Sequence, residues 1–235
     1  MLSELTGRDV DCFSVFGDSV DTLADLVAEA ESSVDKRWLM SFHVNKMILA
    51  FWRGDYIKAA KHFNAASTNP TAQLPQISTF YHTLYGGLVF FQLHKQQVGT
   101  NTSSDSLQQG KQCMDRMQQW STNCPAVFEN KWYMLGGEYL ASIGESHKAQ
   151  LAFKASITAA QDHGNIHEMG LASELLGNCL SANGCIAEGV NCYKQAYTCY
   201  MQWGANALAD RLKNKHDLSV DLLGAGLGTS SKRTR

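Results

Sequence analysis

Apolar and small residues recur along this chain in a fixed order, with a period near forty. Gly137, Gly144, Ala149, Phe153 and Ser156 return as Gly177, Gly184, Gly189, Tyr193 and Ala196. Gly54, Ala59, Phe63 and Ala66 carry the second half of the same pattern, and Gly87, Gly110 and Met114 a looser copy. A period of this length, with small residues inside amphipathic stretches, marks stacked helix pairs. One pair cannot bury its own apolar face, so neighbours must stack into a continuous core. The pattern predicts an all-α fold of stacked antiparallel pairs, a TPR-like α-solenoid of about four repeats plus a C-terminal capping helix.

The predicted pairs are 36–52 with 55–66, 75–96 with 106–120, 125–143 with 145–162, and 166–182 with 185–203. A cap follows over 205–215, and a further helix is expected over 19–30. Gly54-Asp55 supplies a turn and an N-cap carboxylate. Pro70, Pro75 and Pro125 all fall between helical patterns, where a helix-breaking residue belongs. The segment Val98 to Asp105 is rich in Ser, Thr and Asn and reads as a solvated loop that tolerates deletion. It lengthens its repeat, since Gly87 to Gly137 is fifty residues. Within a pair, Gly137 and Gly177 are expected at the helix crossing, met by Ala149 and Gly189, with Phe153 and Tyr193 one turn further on. The domain division is an N-terminal segment over 1–34, repeats over 35–216 and a disordered tail over 217–235.

Composition narrows the function. A net charge of −2 gives no polyanion-binding signature. Apolar runs fall far short of the roughly 20 residues of a membrane span, and the start of the chain does not resemble a signal peptide. Seven cysteines without framework spacing point to reduced thiols and a cytoplasmic protein.

Candidate chemistry is thin. Cys185, Cys192 and Cys199 share a helix face, but seven residues is about 10.5 Å along a helix, too far for one tetrahedral metal site. Small core residues are the expected role. His163 and His167 have ligand spacing, yet Gly164 interrupts the helix between them. Cys124 precedes Pro125 at a helix start, where it reads as a turn residue rather than a reactive thiol. No catalytic residue, cofactor or metal site is expected.

The C-terminal hundred residues resemble the tetratricopeptide-like repeat region of large multidomain signalling proteins. These proteins join a protein-kinase-like domain, an AAA/STAND-type ATPase, a GAF sensor and a histidine kinase. The resemblance lies in Cys124, Pro125, Phe128 and Lys131; in Gly144, Ala149, Phe153, Ile157 and Ala160; in Gly164, Asn165, Glu168, Leu171, Ala172, Glu174 and Leu175; and in Tyr200, Trp203, Gly204 and Ala205. Phe42, Asn45, Lys46, Gly54, Asp55 and Tyr56 extend it more loosely. The resemblance implies a non-catalytic linker between an ATPase and a sensor or kinase. The chain carries no phosphate-loop or kinase motif, so neither activity transfers.

The reading is a helical-repeat scaffold for protein–protein or interdomain contacts in signal transduction, with a protein partner or neighbouring ATPase or kinase domain, and with neither nucleic acid nor membrane. The alternative is a fragment of an ATP-dependent sensor kinase whose catalytic domains lie elsewhere. First helices line the concave face of such stacks. Lys131, Met134, Glu138, Leu171, Glu174 and Asn178 are therefore expected to face a partner. Alanine at Lys131, Glu138, Glu174 and Asn178 should then weaken association and leave helical content intact. Val44, Ile48, Phe51, Tyr81, Leu84, Leu88 and Phe91 fall on the same face, where an apolar groove and internal packing are both open readings.

Overall fold

A computed structural model describes residues 37–68, 77–97 and 101–218. The expected helix over 19–30 and the tail lie outside them. Among the described residues every regular element is α-helical. In chain order these are α1 (Arg37–Trp52), α2 (Tyr56–Ser67), α3 (Ile77–Gln96), α4 (Asn101–Asn123), α5 (Pro125–Ser142), α6 (Ser146–Asp162), α7 (Ile166–Ala182), α8 (Ile186–Trp203) and α9 (Asn206–His216). Successive helices pack as pairs, and α1, α3, α5 and α7 also touch in series, forming an inner row with α2, α4, α6 and α8 outside. This is the expected solenoid of four repeats with a cap.

The turns show a shorter period than the sequence reading used. Gly144, Gly164, Gly184 and Gly204 stand twenty residues apart, and all have positive φ, as does Gly54. At Gly184 (φ +82°) a Cβ would meet nothing within 4 Å, so the constraint is the left-handed backbone and not space. Around it Cys185 N–H bonds to Leu180 O (3.0 Å) and Gly184 N–H to Ser181 O (3.1 Å). This crossed pair is the Schellman motif, which satisfies the orphan carbonyls at a helix end. The same pair closes α1, α5, α6 and α8. The residue after each glycine caps the next helix, so one glycine both stops a helix and aims its successor.

Inside the second, third and fourth pairs an aromatic ring takes the place of a missing side chain. A Cβ on Gly137 would lie 2.6 Å from the Phe153 ring, and one on Gly177 2.5 Å from the Tyr193 ring. The rings thus rest on the glycines themselves and not one turn beyond. Gly177 and Gly189 meet backbone to backbone, where a Cβ on either would stand 3.1 Å from the other's carbonyl.

The segment expected as a loop needs correction. Residues 101–105 are the first turn and more of α4. The buried face of α4 runs Ser103, Ser106, Cys113, Met117 and Ser121, with Gly110 against Phe91. Helical spacing is present, but it is written in small polar residues that a hydrophobic pattern overlooks. Ser103 Oγ lies 2.8 Å from His94 Nδ1, and Ser106 Oγ donates to Gln97 Oε1 at 3.4 Å. Deleting 101–105 would remove this seam, so the expected tolerance is withdrawn there; 98–100 lie outside the described residues.

Gly137→Leu and Gly177→Leu should each lower stability by about 1–3 kcal/mol or more through overpacking. Gly136→Ala should be neutral or stabilising, because a Cβ there meets nothing within 4 Å and alanine favours the helix by about 1 kcal/mol. Urea melts of the three variants check this. Equal midpoints for Gly136→Ala and Gly177→Leu would contradict the proposed ring contacts.

Candidate functional site

The inner row does not present an open polar face. Three carboxylates lie buried along it; a cation from the neighbouring inner helix meets two of them, and one from the cap α9 meets the third. Glu138 on α5 is 2% exposed and accepts from Lys95 Nζ of α3 at 2.6 Å and from Gln92 Nε2 at 3.0 Å. Glu168 on α7 is 3% exposed and accepts from Lys131 Nζ of α5 at 2.8 Å and from Asn130 Nδ2. Glu174 on α7 is 5% exposed, with Arg211 Nη2 of α9 at 2.8 Å from both its oxygens and the Tyr200 hydroxyl donating at 2.9 Å. The ladder therefore reads α3–α5, α5–α7 and α7–α9.

Five of the six residues expected to face a partner are consumed by this packing. Lys131, Met134, Glu138, Leu171 and Glu174 are buried, and only Asn178 is half-exposed. Asn178 Oδ1 accepts from the Tyr193 hydroxyl at 3.1 Å. Lys131 Nζ also donates to Val127 O at 2.6 Å. The expectation of solvent-facing side chains with no role in packing is thus wrong. Their positions on the inner row were correct; what the sequence did not reveal is how tightly neighbouring inner helices approach. The apolar set resolves the same way. Val44, Ile48, Phe51, Leu84, Leu88 and Phe91 are buried in the core, and Tyr81 is half-buried.

The two ends of the stack also meet. Arg211 Nη1 donates to Trp52 O, at the C-terminal end of α1, at 3.3 Å, and its guanidinium lies 5.5 Å from the Trp52 ring centroid. Trp52 sits edge-on to Tyr200 of α8 at 5.7 Å. The Tyr56 hydroxyl is pushed to higher pKa by burial and then by Glu138 and Glu174, which places it beside this junction. A carbonyl left free by the end of α1 thus receives a donor from the last helix. The first and last helices among the described residues thus meet across the inner face at this guanidinium.

Burial raises the Glu168 carboxyl, but the His167 and Lys131 donors outweigh it and the net shift is downward. Histidines elsewhere also resist protonation. His82 is stacked on Phe63 at 4.0 Å, with Nε2 3.1 Å from Phe63 O and 3.2 Å from Ser67 Oγ; burial, together with Arg116, lowers its pKa. His216 stacks on Tyr193 at 3.6 Å with Nε2 buried and unpartnered, and burial lowers it too.

The cysteine row is less buried than expected. Cys199 is buried, whereas Cys185 and Cys192 are half-exposed. Burial pushes the Cys199 thiol up to about 11, so it is not a thiolate at neutral pH. Cys124 is exposed and stands at the N-cap of α5 without a side-chain cap bond. Among the described residues no three His, Cys, Asp or Glu side chains gather as metal ligands, and no helix is long and apolar enough to cross a membrane. No family model, curated protein or solved structure matches the chain.

Lys131→Ala leaves Glu168 buried without its strongest partner and should cost about 3–5 kcal/mol; adding Glu168→Gln should recover part of that loss. Alanine at Lys131, Glu138, Glu174 and Asn178 together should unfold the chain instead of leaving its helices intact. Denaturant titration by circular dichroism measures both.

Acid should act through the histidines. A histidine held below its normal pKa contributes stability that is complete above about pH 6.5 and is lost as pH falls toward its folded value. The melting temperature should therefore drop between pH 7.5 and 5, and a flat profile would contradict the burial of His82 and His216.

Proposed function

We propose that this chain is a non-catalytic helical-repeat scaffold that mediates protein–protein or interdomain contacts in signal transduction. Its partner is a signalling ATPase or kinase, or a neighbouring domain of that kind, in the cytoplasm. The observation that carries the reading is the fate of the inner carboxylates. Glu138 and Glu168 are each engaged by a cation on the adjacent repeat, and Glu174 by one on the cap. Those groups act as staples between repeats, which suits a stack whose task is to hold a defined shape. The signalling context rests on the resemblance of residues 124–205 alone.

The test is direct. The full chain, immobilised, should retain a limited set of proteins that includes an ATPase or kinase. The purified retained protein should then bind the chain saturably in calorimetry, while the chain alone shows no ATP turnover. Turnover by the purified chain, or retention of nothing beyond a melted control, would overturn this reading.

A further inference from the structure

Inner helices dock on the preceding pair through one stripe, set at fixed distances from the turn glycine that follows. Sixteen, nine and five residues before Gly144 stand Phe128, Leu135 and Tyr139 of α5. The Phe128 ring lies 4.8 Å from Phe80 of α3 and 5.6 Å from Trp120 of α4. Leu135 lies against Gly87, and Tyr139 is 5.9 Å from Phe91. Before Gly184 the same places hold Glu168, Leu175 and Cys179. Glu168 pairs with Lys131 of α5, and the Cys179 thiol donates to Ser146 O of α6 at 3.9 Å. Before Gly54 they hold Trp38, Asn45 and Leu49 of α1, with Phe42 between them. Trp38 is 46% exposed and stacks on Phe42 at 5.5 Å. The first pair thus carries the docking stripe of an inner helix, with no described pair before it.

Charge and length point to what covers it. The first pair, over 37–67, carries five basic residues against one acidic. The second, over 77–123, has three against two; the third, over 125–162, three against four; the fourth, over 166–203, one against three. Residues 1–36 lead directly into α1 and hold nine acidic residues and two basic. Opposite charge favours their approach to the first pair over every other pair of the stack. Within that segment Val20, Leu23, Val27 and Ala30 recur at helical spacing, and Asp21, Asp25 and Glu29 fall on the opposite side. A helix over 19–30 would measure about 18 Å, close to the ~17 Å from Trp38 to Leu49 along α1. The intervening residues 31–36 have the length of an ordinary helix–helix connection, about 2–8 residues.

We propose that residues 19–30 form a helix antiparallel to α1 that covers Trp38 and Phe42, so that the chain's own acidic segment closes the first end of the stack. A solenoid needs a terminal element with one apolar and one polar face, or its open end recruits other copies. At the other end α9 has that place. The acidic stripe faces solvent, and the basic first pair selects this segment from the rest of the chain. The inference goes beyond the scaffold reading and stands without it.

Hydrogen exchange on the full chain tests it. Amide hydrogens of 19–30 should exchange more slowly than in a free peptide of the same sequence, and to the same degree on dilution. Leu23→Asp/Val27→Asp should abolish that protection while α7 keeps its own, the sign that the stack is still folded. If α7 loses protection as well, Leu23→Ser/Val27→Ser takes its place with the same readings. Acrylamide quenching, read as the difference between the chain and Trp38→Phe, isolates Trp38. That signal should rise when Leu23 and Val27 are substituted. Absence of protection over 19–30, or a Trp38 signal unchanged by the double substitution, would overturn the proposal. Protection that disappears on dilution would overturn it too, and would give the face to a second copy of the chain.

Discussion

The architecture depends on one contact repeated along the stack, an aromatic ring seated on a glycine. Phe91 rests on Gly110, Phe153 on Gly137, Tyr193 on Gly177 and Tyr200 on Gly170, while Phe63 meets Gly86 between repeats. A flat ring against bare backbone lets two helices approach more closely than any pair of ordinary side chains. That spacing then propagates. Paired helices at short range bring adjacent inner helices together, and only then can Lys95, Lys131 and Arg211 reach carboxylates on the next repeat. Interiors packed at crystal-like density transmit such constraints without slack.

The charge ladder follows from that spacing, and its value is mainly one of register. Taking a carboxylate and a cation out of water costs several kcal/mol per ion, and their attraction often only offsets this. Well-packed apolar pairs of similar volume would serve stability equally. What the ladder adds is selectivity among arrangements. A repeat that slipped by one helical turn would break the ion pairs on both of its sides, as slippage of α5 would part Glu138 from Lys95 and Glu168 from Lys131, whereas an apolar seam would tolerate the slip. Repeat proteins are prone to such errors because each unit resembles the next. Here Glu138, Glu168 and Glu174 are placed unevenly along α5 and α7, so only one stacking satisfies all three.

Much of the fold was legible because its two strongest signals are local. Glycines at turns and proline at the start of α5 speak through backbone geometry, and two of the ring–glycine pairs, Gly137 with Phe153 and Gly177 with Tyr193, repeat at the same offset. The twenty-residue glycine period was missed because the search was for whole repeats and not half-repeats. The first turns of α4 were missed for a different reason. Ser103, Ser106 and Ser121 bury small polar side chains, the first two bonded to His94 and Gln97. Hydrophobic periodicity cannot register a face made of serine, glycine and cysteine. The site fared worst, and for a non-local reason. Sequence placed Lys131, Glu138 and Glu174 on the inner row correctly, but their burial depends on partners 37 to 43 residues away in the chain. The contact of Arg211 with Trp52 spans 159 residues, and no pattern within a repeat encodes it.

That longest contact joins the first and last described helices across the inner face. A solenoid of many repeats leaves its concave surface open, since the ends diverge. Here the guanidinium on α9, the last described helix, reaches both α1 and the inner helix α7. An aliphatic residue at 211 would bury more apolar area but could satisfy neither the Glu174 carboxylate nor the free carbonyl of Trp52. A lysine would reach one of them and lose the Trp52 face. Arginine serves all three with a single side chain, a third of which stays in solvent. Closure by arginine therefore ties the first and last described helices through donors aimed in two directions, a constraint that an apolar seam at the same position would not provide.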